Sequence, residues 1–151
     1  MQTTQILPAT ADSIPVLVEL MRQYWEYEQI RGFDAQSAET LLTGFLSHPD
    51  LGRGWIALDH DQVLGYLLCS RVFSFEHGGP TAAIDELYVI AEARGQGVGR
   101  LLVQTAEREM RAQGCVHIEM EVAAHNVQAQ RFYSLLGFAS RAGYSLMHKA
   151  L

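Results

Sequence analysis

With 151 residues, the chain is long enough for one domain with a sizeable core, and 48% hydrophobic against 19% charged residues is an ordinary globular balance. Its formal net charge of -6 argues against a basic surface that would hold nucleic acid, and favours neutral or cationic partners only diffusely. No apolar run nears the ~20 residues needed to cross a bilayer and no signal-peptide pattern opens the chain, so a cytoplasmic location without a membrane partner is expected.

In chain order, "TTQILPA" (Thr3 to Ala9) reads as a first strand. Asp12 or Ser13 can cap a helix beginning near Ile14, with Pro15 tolerated in its first turn. Val16, Leu17, Leu20, Met21, Tyr24 and Tyr27 follow at helical spacing. "GFDAQ" breaks that helix, and Asp34 can start a second one carrying Leu41, Leu42, Phe45 and Leu46. "GWIALDHDQVLGYLLCSRVF" reads as a hairpin about Asp59-His60-Asp61-Gln62, "EHGGP" as the next turn, and "TAAIDELYVI" as a further strand. A helix over about Gly97 to Gln113 presents Val98, Leu101, Leu102, Thr105, Ala106 and Met110 on one face, and Gly114 closes it. "VHIEMEV" alternates as a strand, "NVQAQRFYSLLGF" is a short helix stopped by Gly137, and "YSLMHK" supplies a last strand. The predicted order is β-α-α-β-β-β-α-β-α-β-β. Hairpins ahead of a β-α-β unit imply a mixed sheet in a three-layer α/β sandwich, one continuous domain over residues 1–151.

Cys69 and Cys115 sit in apolar runs without metal or redox spacing and read as buried thiols. The six histidines form no HExxH and no Cys/His cluster, so no metal is expected. The most informative stretch is "EARGQGVGRLLVQTAE", with glycines at 95, 97 and 99 against a helix start. Glycine is costly in a helix but lets backbone approach a ligand. A P-loop fails for want of a lysine–hydroxyl pair. A dinucleotide fingerprint fails because Arg100 stands where its third small residue belongs, although Glu119 is placed for its acidic partner. A loop that merely turns from strand to helix remains the alternative for this segment taken alone. The third design has Arg94, Gly95, Gln96, Gly97, Val98 and Gly99 leading into a helix whose first amides lack acceptors and whose dipole favours an anion. Arg94 and Arg100 can add counter-charge.

That pattern, [RQ]xxGx[GA] before a helix, resembles the acyl-CoA diphosphate loop of the GNAT superfamily of N-acetyltransferases. Asn126 to Phe138 resembles the family's second signature, NxxAxxFYxxxGF, at every fixed position. The element order agrees from Thr3 to Lys149. The resemblance implies a mostly antiparallel, centrally splayed sheet, acetyl-CoA as cosubstrate, and acetyl transfer to a primary amine of a small molecule or peptide. A homodimer is expected by the same analogy. A non-catalytic acyl-CoA sensor of the same fold is the alternative.

Such a transfer needs a neutral amine, a stabilised carbonyl oxygen and a protonated leaving thiolate. By resemblance, Tyr133 donates the proton, whereas by spacing alone it reads as a core aromatic beside Phe132. The backbones of Leu87, Tyr88 and Val89 are implied to line the pantetheine slot beside a strand bulge, with Asn126 near it and also suited to an N-cap. The base is sought in Asp85 or Glu86, which point to opposite faces of a regular strand unless the bulge intervenes; Glu86 is preferred, with Glu119 and Glu121 behind it. An acyl-cysteine route would need Cys69 or Cys115 activated, so direct transfer in a ternary complex is favoured. The implied acceptor pocket draws on "YWEYEQIRGF", "FSFEHGGP" and "SRAGYS". There Tyr24, Trp25, Tyr27 and Phe73 offer aromatic walls, and Glu26, Glu28, Glu76 and Asp85 offer negative charge; the competing reading is core aromatics and a solvated acidic face.

Overall fold

The computed structural model describes residues 3–151, in two compact units, one running to Glu121 and the other from Val122 to Leu151. The first unit contains β1 (Gln5–Pro8), a 3-10 turn at Ala11–Ser13, α1 (Ile14–Tyr27), α2 (Ala35–Leu46), β2 (Gly52–Asp59), β3 (Gln62–Ser74), β4 (Gly79–Val89), a 3-10 turn at Ala91–Ala93, α3 (Val98–Ala112) and β5 (His117–Met120). The second contains α4 (Val127–Leu135).

The five strands lie in the order β1-β2-β3-β4-β5. All neighbours are antiparallel except β4 and β5, which run parallel through the α3 crossover, as the mixed, mostly antiparallel reading requires. The β2–β3 hairpin turns where expected, with His60 in left-handed backbone (φ 53) and its Nδ1 2.9 Å from Asp59 Oδ1. Asp34 caps α2 by accepting the Ser37 N–H at 2.8 Å, and Gly114 (φ 89) ends α3. Ser13 stands at the head of α1, but its hydroxyl accepts the Thr10 N–H at 3.0 Å rather than capping that helix.

Strand alternation assigns the layers. Trp55 faces Leu67 across the β2–β3 ladder, and its Nε1–H donates to Glu109 of α3 at 3.2 Å. The next residue of β3, Tyr66, faces Tyr88 of β4, whose hydroxyl lies 3.5 Å from Gln23 of α1. Adjacent strand residues point to opposite faces, so α3 covers one side of the sheet and α1, with α2 packed beside it, covers the other. This is an α/β fold of three layers. Trp55, Tyr66, Leu17, Leu67, Leu102 and Met110 are its largest fully buried side chains, each contributing roughly 1.5–3 kcal/mol by burial. The face expected of α3 is the buried one, except that Leu101 is exposed and Val103 takes its place in the core.

In the second unit, Ala129, Phe132, Tyr133, Leu136 and Phe138 are the half-buried residues of α4 and its exit, with the ring of Tyr133 edge-on to Phe132 at 4.9 Å and to Phe138 at 5.6 Å. The strand expected at "YSLMHK" is not formed: residues 139–151 are exposed and enter no ladder among the described residues. Local alternation suggested it, but a strand exists only where another strand accepts its hydrogen bonds.

Gly65 pairs with Val89 across the β3–β4 ladder; a Cβ there would overlap the Tyr88 carbonyl oxygen and come within 3.1 Å of the Val89 Cα. Gly65→Ala is expected to destabilise the fold by about 1–3 kcal/mol, measured by urea unfolding, whereas alanine at Gly78, which meets nothing within 4 Å, should cost only what its positive φ imposes.

Candidate active site

The β3–β4 ladder pairs Leu68 with Glu86 and Cys69 with Ile84, so Asp85 is an extra residue in β4. This bulge settles the two adjacent carboxylates. Asp85 is exposed, whereas Glu86 is only 8% exposed, on the α1 face with Tyr66 and Tyr88.

Around Glu86 the tyrosines converge. Tyr66, 0% exposed, donates its hydroxyl hydrogen to Glu86 Oε2 at 2.9 Å. Trp25 of α1 also hydrogen-bonds the carboxylate. The Tyr88 ring lies 6.1, 6.3 and 6.4 Å from those of Tyr24, Tyr27 and Tyr66. Burial pushes the Glu86 carboxyl up to about 7; the hydrogen bond from Tyr66 pulls it down, the charge of Asp85 raises it, and the bond from Trp25 lowers it. The same burial, reinforced by Glu86, lifts the Tyr24 phenol to about 12 and raises that of Tyr66 as well. A carboxyl poised near neutrality suits proton transfer.

Along its other edge β4 parts from its neighbour. Among the described residues the β4–β5 ladder covers Thr81–Ile84 against His117–Met120, and β5 then ends. From Asp85 to Val89, β4 has no strand partner on that side among the described residues. The splay thus begins at the bulge, beside Leu87, Tyr88 and Val89, the residues expected to line a slot.

The glycine loop follows. Gly95 (φ 74) and Gly97 (φ 85) adopt left-handed backbone, and a Cβ on either would meet nothing within 4 Å, so the space over the loop is open. Gly97 is the N-cap of α3, whose first helical bond runs from the Leu101 N–H to the Gly97 carbonyl at 3.0 Å. The amides of Val98, Gly99 and Arg100 precede that ladder and have no helical acceptor. Val98 is buried and Arg100 exposed in the first turn, while Gln96 donates to the Glu92 carbonyl at 2.8 Å. Open backbone, unsatisfied N–H groups and a helix dipole fit a diphosphate. Arg94, expected to supply counter-charge, has its Nε–H donating to the Val89 carbonyl at 2.9 Å and its guanidinium 4.3 Å over the Tyr27 ring and 5.5 Å from that of Tyr88.

The expected acceptor residues divide. Tyr24, Tyr27 and Glu28 cluster at the end of α1 near Tyr88, and the charge of Glu28 reaches Tyr24. Phe73 pairs with Pro80, five strand positions beyond Leu68 and so about 17 Å along β3 from the level of Glu86; Glu76 lies past it in the turn. Phe73, 64% exposed, packs on Phe75 instead. In the second unit, Asn126 Oδ1 accepts the Ala129 N–H at 3.0 Å, making the N-cap expected of it. Tyr66 and Trp25, the two donors to Glu86, were not assigned this role from the sequence; the one local signal was a hydroxyl inside the apolar run "GYLLCS", which demands a buried partner.

Residues 15–138 match the model of the Acetyltransferase (GNAT) family. Aminoalkylphosphonate N-acetyltransferase of Salmonella typhimurium is 30% identical over 139 residues, covering 91% of this chain and 80% of that protein. N-alpha-acetyltransferase 30 of Schizosaccharomyces pombe is 34% identical over 86 residues, 56% of this chain, and this match spans about half (55%) of its length. Aminoglycoside N-acetyltransferase AAC(6')-Iy, solved in complex with CoA, superposes with a TM-score of 0.86 over 100% of this chain and 97% of its own at 18% identity, a likeness of fold.

Because the folded state holds the Glu86 proton more tightly than an exposed carboxyl does, stability should fall as pH rises from about 4.5 through about 7 and stay reduced above it. Glu86→Gln abolishes that ionisation. It should match the parent at pH 5 and exceed its stability at pH 8 by at most about 3 kcal/mol, as read from thermal unfolding across pH.

Proposed function

The chain belongs to the acetyltransferase (GNAT) family, and from that premise we propose that it transfers an acetyl group from acetyl-CoA directly to the primary amine of a small molecule or peptide. The observation that carries this reading is Glu86: a buried carboxylate, poised near neutrality, beside the bulge at which β4 parts from β5.

Acetyl-CoA supplies the acetyl group as an activated thioester. In this proposal the amides of Val98, Gly99 and Arg100 and the open backbone of Gly95 and Gly97 hold its diphosphate. The edge over Leu87, Tyr88 and Val89, apart from the Val89 carbonyl that Arg94 holds, offers backbone groups to an extended chain of amides and an N–H to the carbonyl oxygen. Glu86 takes the proton that the attacking amine sheds, and holds it on a carboxylate oxygen. For Tyr133 as donor to the leaving sulfur, the support is its place in the NxxAxxFYxxxGF signature. Direct transfer is supported by the thiols: burial pushes Cys69 up to about 12, so it offers no ready thiolate, and Cys115 is buried away from solvent. Tyr24, Tyr27 and Glu28 are the proposed acceptor contacts, in an aromatic and acidic setting suited to an amine. A homodimer and a cytoplasmic location complete the reading by analogy with the family.

The test is release of CoA thiol from acetyl-CoA across a panel of amines, amino acids and peptides. At least one should turn over, with a rate rising through about pH 7. Glu86→Gln should lower kcat by about 100-fold or more. Tyr133→Phe should lower kcat with little change in acetyl-CoA affinity. Binding of acetyl-CoA without turnover of any amine would replace the enzyme with an acyl-CoA sensor.

A further inference from the structure

We propose that Tyr66 is a positioning residue for the general base: its hydroxyl, sealed inside the sheet, holds Glu86 in its charged, proton-accepting form. The inference rests on the reading of Glu86 as the base and extends it to a residue of another strand.

Tyr66 is fully buried in a β3 stretch, Leu64 to Cys69, in which every residue is buried. A phenylalanine would fill that place without bringing a hydroxyl out of water, a step that costs free energy unless a partner repays it. The partner is Glu86 Oε2 at 2.9 Å, a diagonal neighbour in the regular ladder that pairs Tyr66 with Tyr88 and Leu68 with Glu86, just past the Asp85 bulge. A hydrogen bond donated to a carboxylate favours its ionised form. A carboxylate has about four lone-pair sites; Tyr66 and Trp25 occupy two, and the others can receive a proton. The two donors come from different elements, Tyr66 from β3 and Trp25 from α1, so the carboxylate is tied to both the sheet and the helix that covers it.

The charged and titratable groups around Glu86 act in known directions. Tyr66 from β3 and Trp25 from α1 stabilise the carboxylate. Asp85 from β4 opposes it. Tyr24 from α1 lies in the field of Glu86, Asp85 and Glu28, and Tyr88 from β4 lies between it and Tyr66. Without the Tyr66 hydroxyl, the desolvation of Glu86 stands with one donor to offset it, and the base should need a higher pH to ionise.

The experiment is the pH–rate profile of acetyl transfer to one acceptor for the parent, Tyr66→Phe, Trp25→Phe and Asp85→Asn. The acidic limb should move up by about one pH unit in Tyr66→Phe. At pH 7 this is a roughly fivefold loss of kcat that recovers at high pH. The limb should move up in Trp25→Phe and down in Asp85→Asn. A merely structural role for Tyr66 would lower the rate equally at every pH and leave the limb in place, and that result overturns the inference. Should Tyr66→Phe fail to fold, an unmoved limb in Trp25→Phe overturns the two-donor arrangement in its stead. Full turnover in Glu86→Gln would instead remove the base itself, which separates failure of the underlying reading from failure of this one.

Discussion

Asp85 has no counterpart in β3, and this surplus residue changes which side of the sheet the even-numbered residues of β4 face. Ahead of it, Ile84 shares a face with Cys69, on the α3 side; beyond it, Glu86 and Tyr88 share a face with Leu68 and Tyr66, on the α1 side. In an uninterrupted ladder Glu86 would keep the parity of Ile84 and point toward α3. The bulge therefore decides whether a carboxylate lies among tyrosines or in the packing beneath α3. It also coincides with the point at which β4 and β5 separate, so the buried carboxylate and the opening in the sheet lie at one place along β4.

The site carries opposing terms by construction. Burial disfavours the Glu86 carboxylate, and Asp85 adds to that cost, while Tyr66 and Trp25 offset part of it. The balance falls close to neutral pH rather than at either extreme. A deeper or less bonded carboxyl would stay protonated, and an exposed one would be too weak a base to hold a proton at pH 7. The tyrosines about Tyr88 supply the low-polarity surroundings without adding charge of their own.

Much of this was legible in the sequence where the signal is local. Both helices between β1 and β2, the Asp59–Gln62 turn, the glycine loop and the Asn126 cap follow from periodicity, turn chemistry and the conformational freedom of Gly95 and Gly97. Pairing between distant residues was not. Tyr66 and Glu86 are twenty positions apart, and nothing in "GYLLCS" names the strand beside it. The bulge was reached through the family resemblance alone, because an extra residue is defined only by the partner that lacks it. For the same reason alternation at "YSLMHK" promised a strand that is absent among the described residues, and nothing in the loop itself announced that the Arg94 guanidinium lies over Tyr27.

The shortness of β5 has a geometric meaning of its own. Four residues hold it to β4, and the join is fastened at its outer end, where the Val116 N–H reaches the Pro80 carbonyl at 2.9 Å and the rings of His77 and His117 stack with centroids 3.7 Å apart. Each further rung would zip up about 3.3 Å of the gap. For the linear guest proposed above, the number of rungs would be a depth stop, setting how far it could enter before it struck closed sheet. Two extra rungs would engage the edge of Glu86 itself, so the length of one small strand leaves the sheet open beside the proposed base.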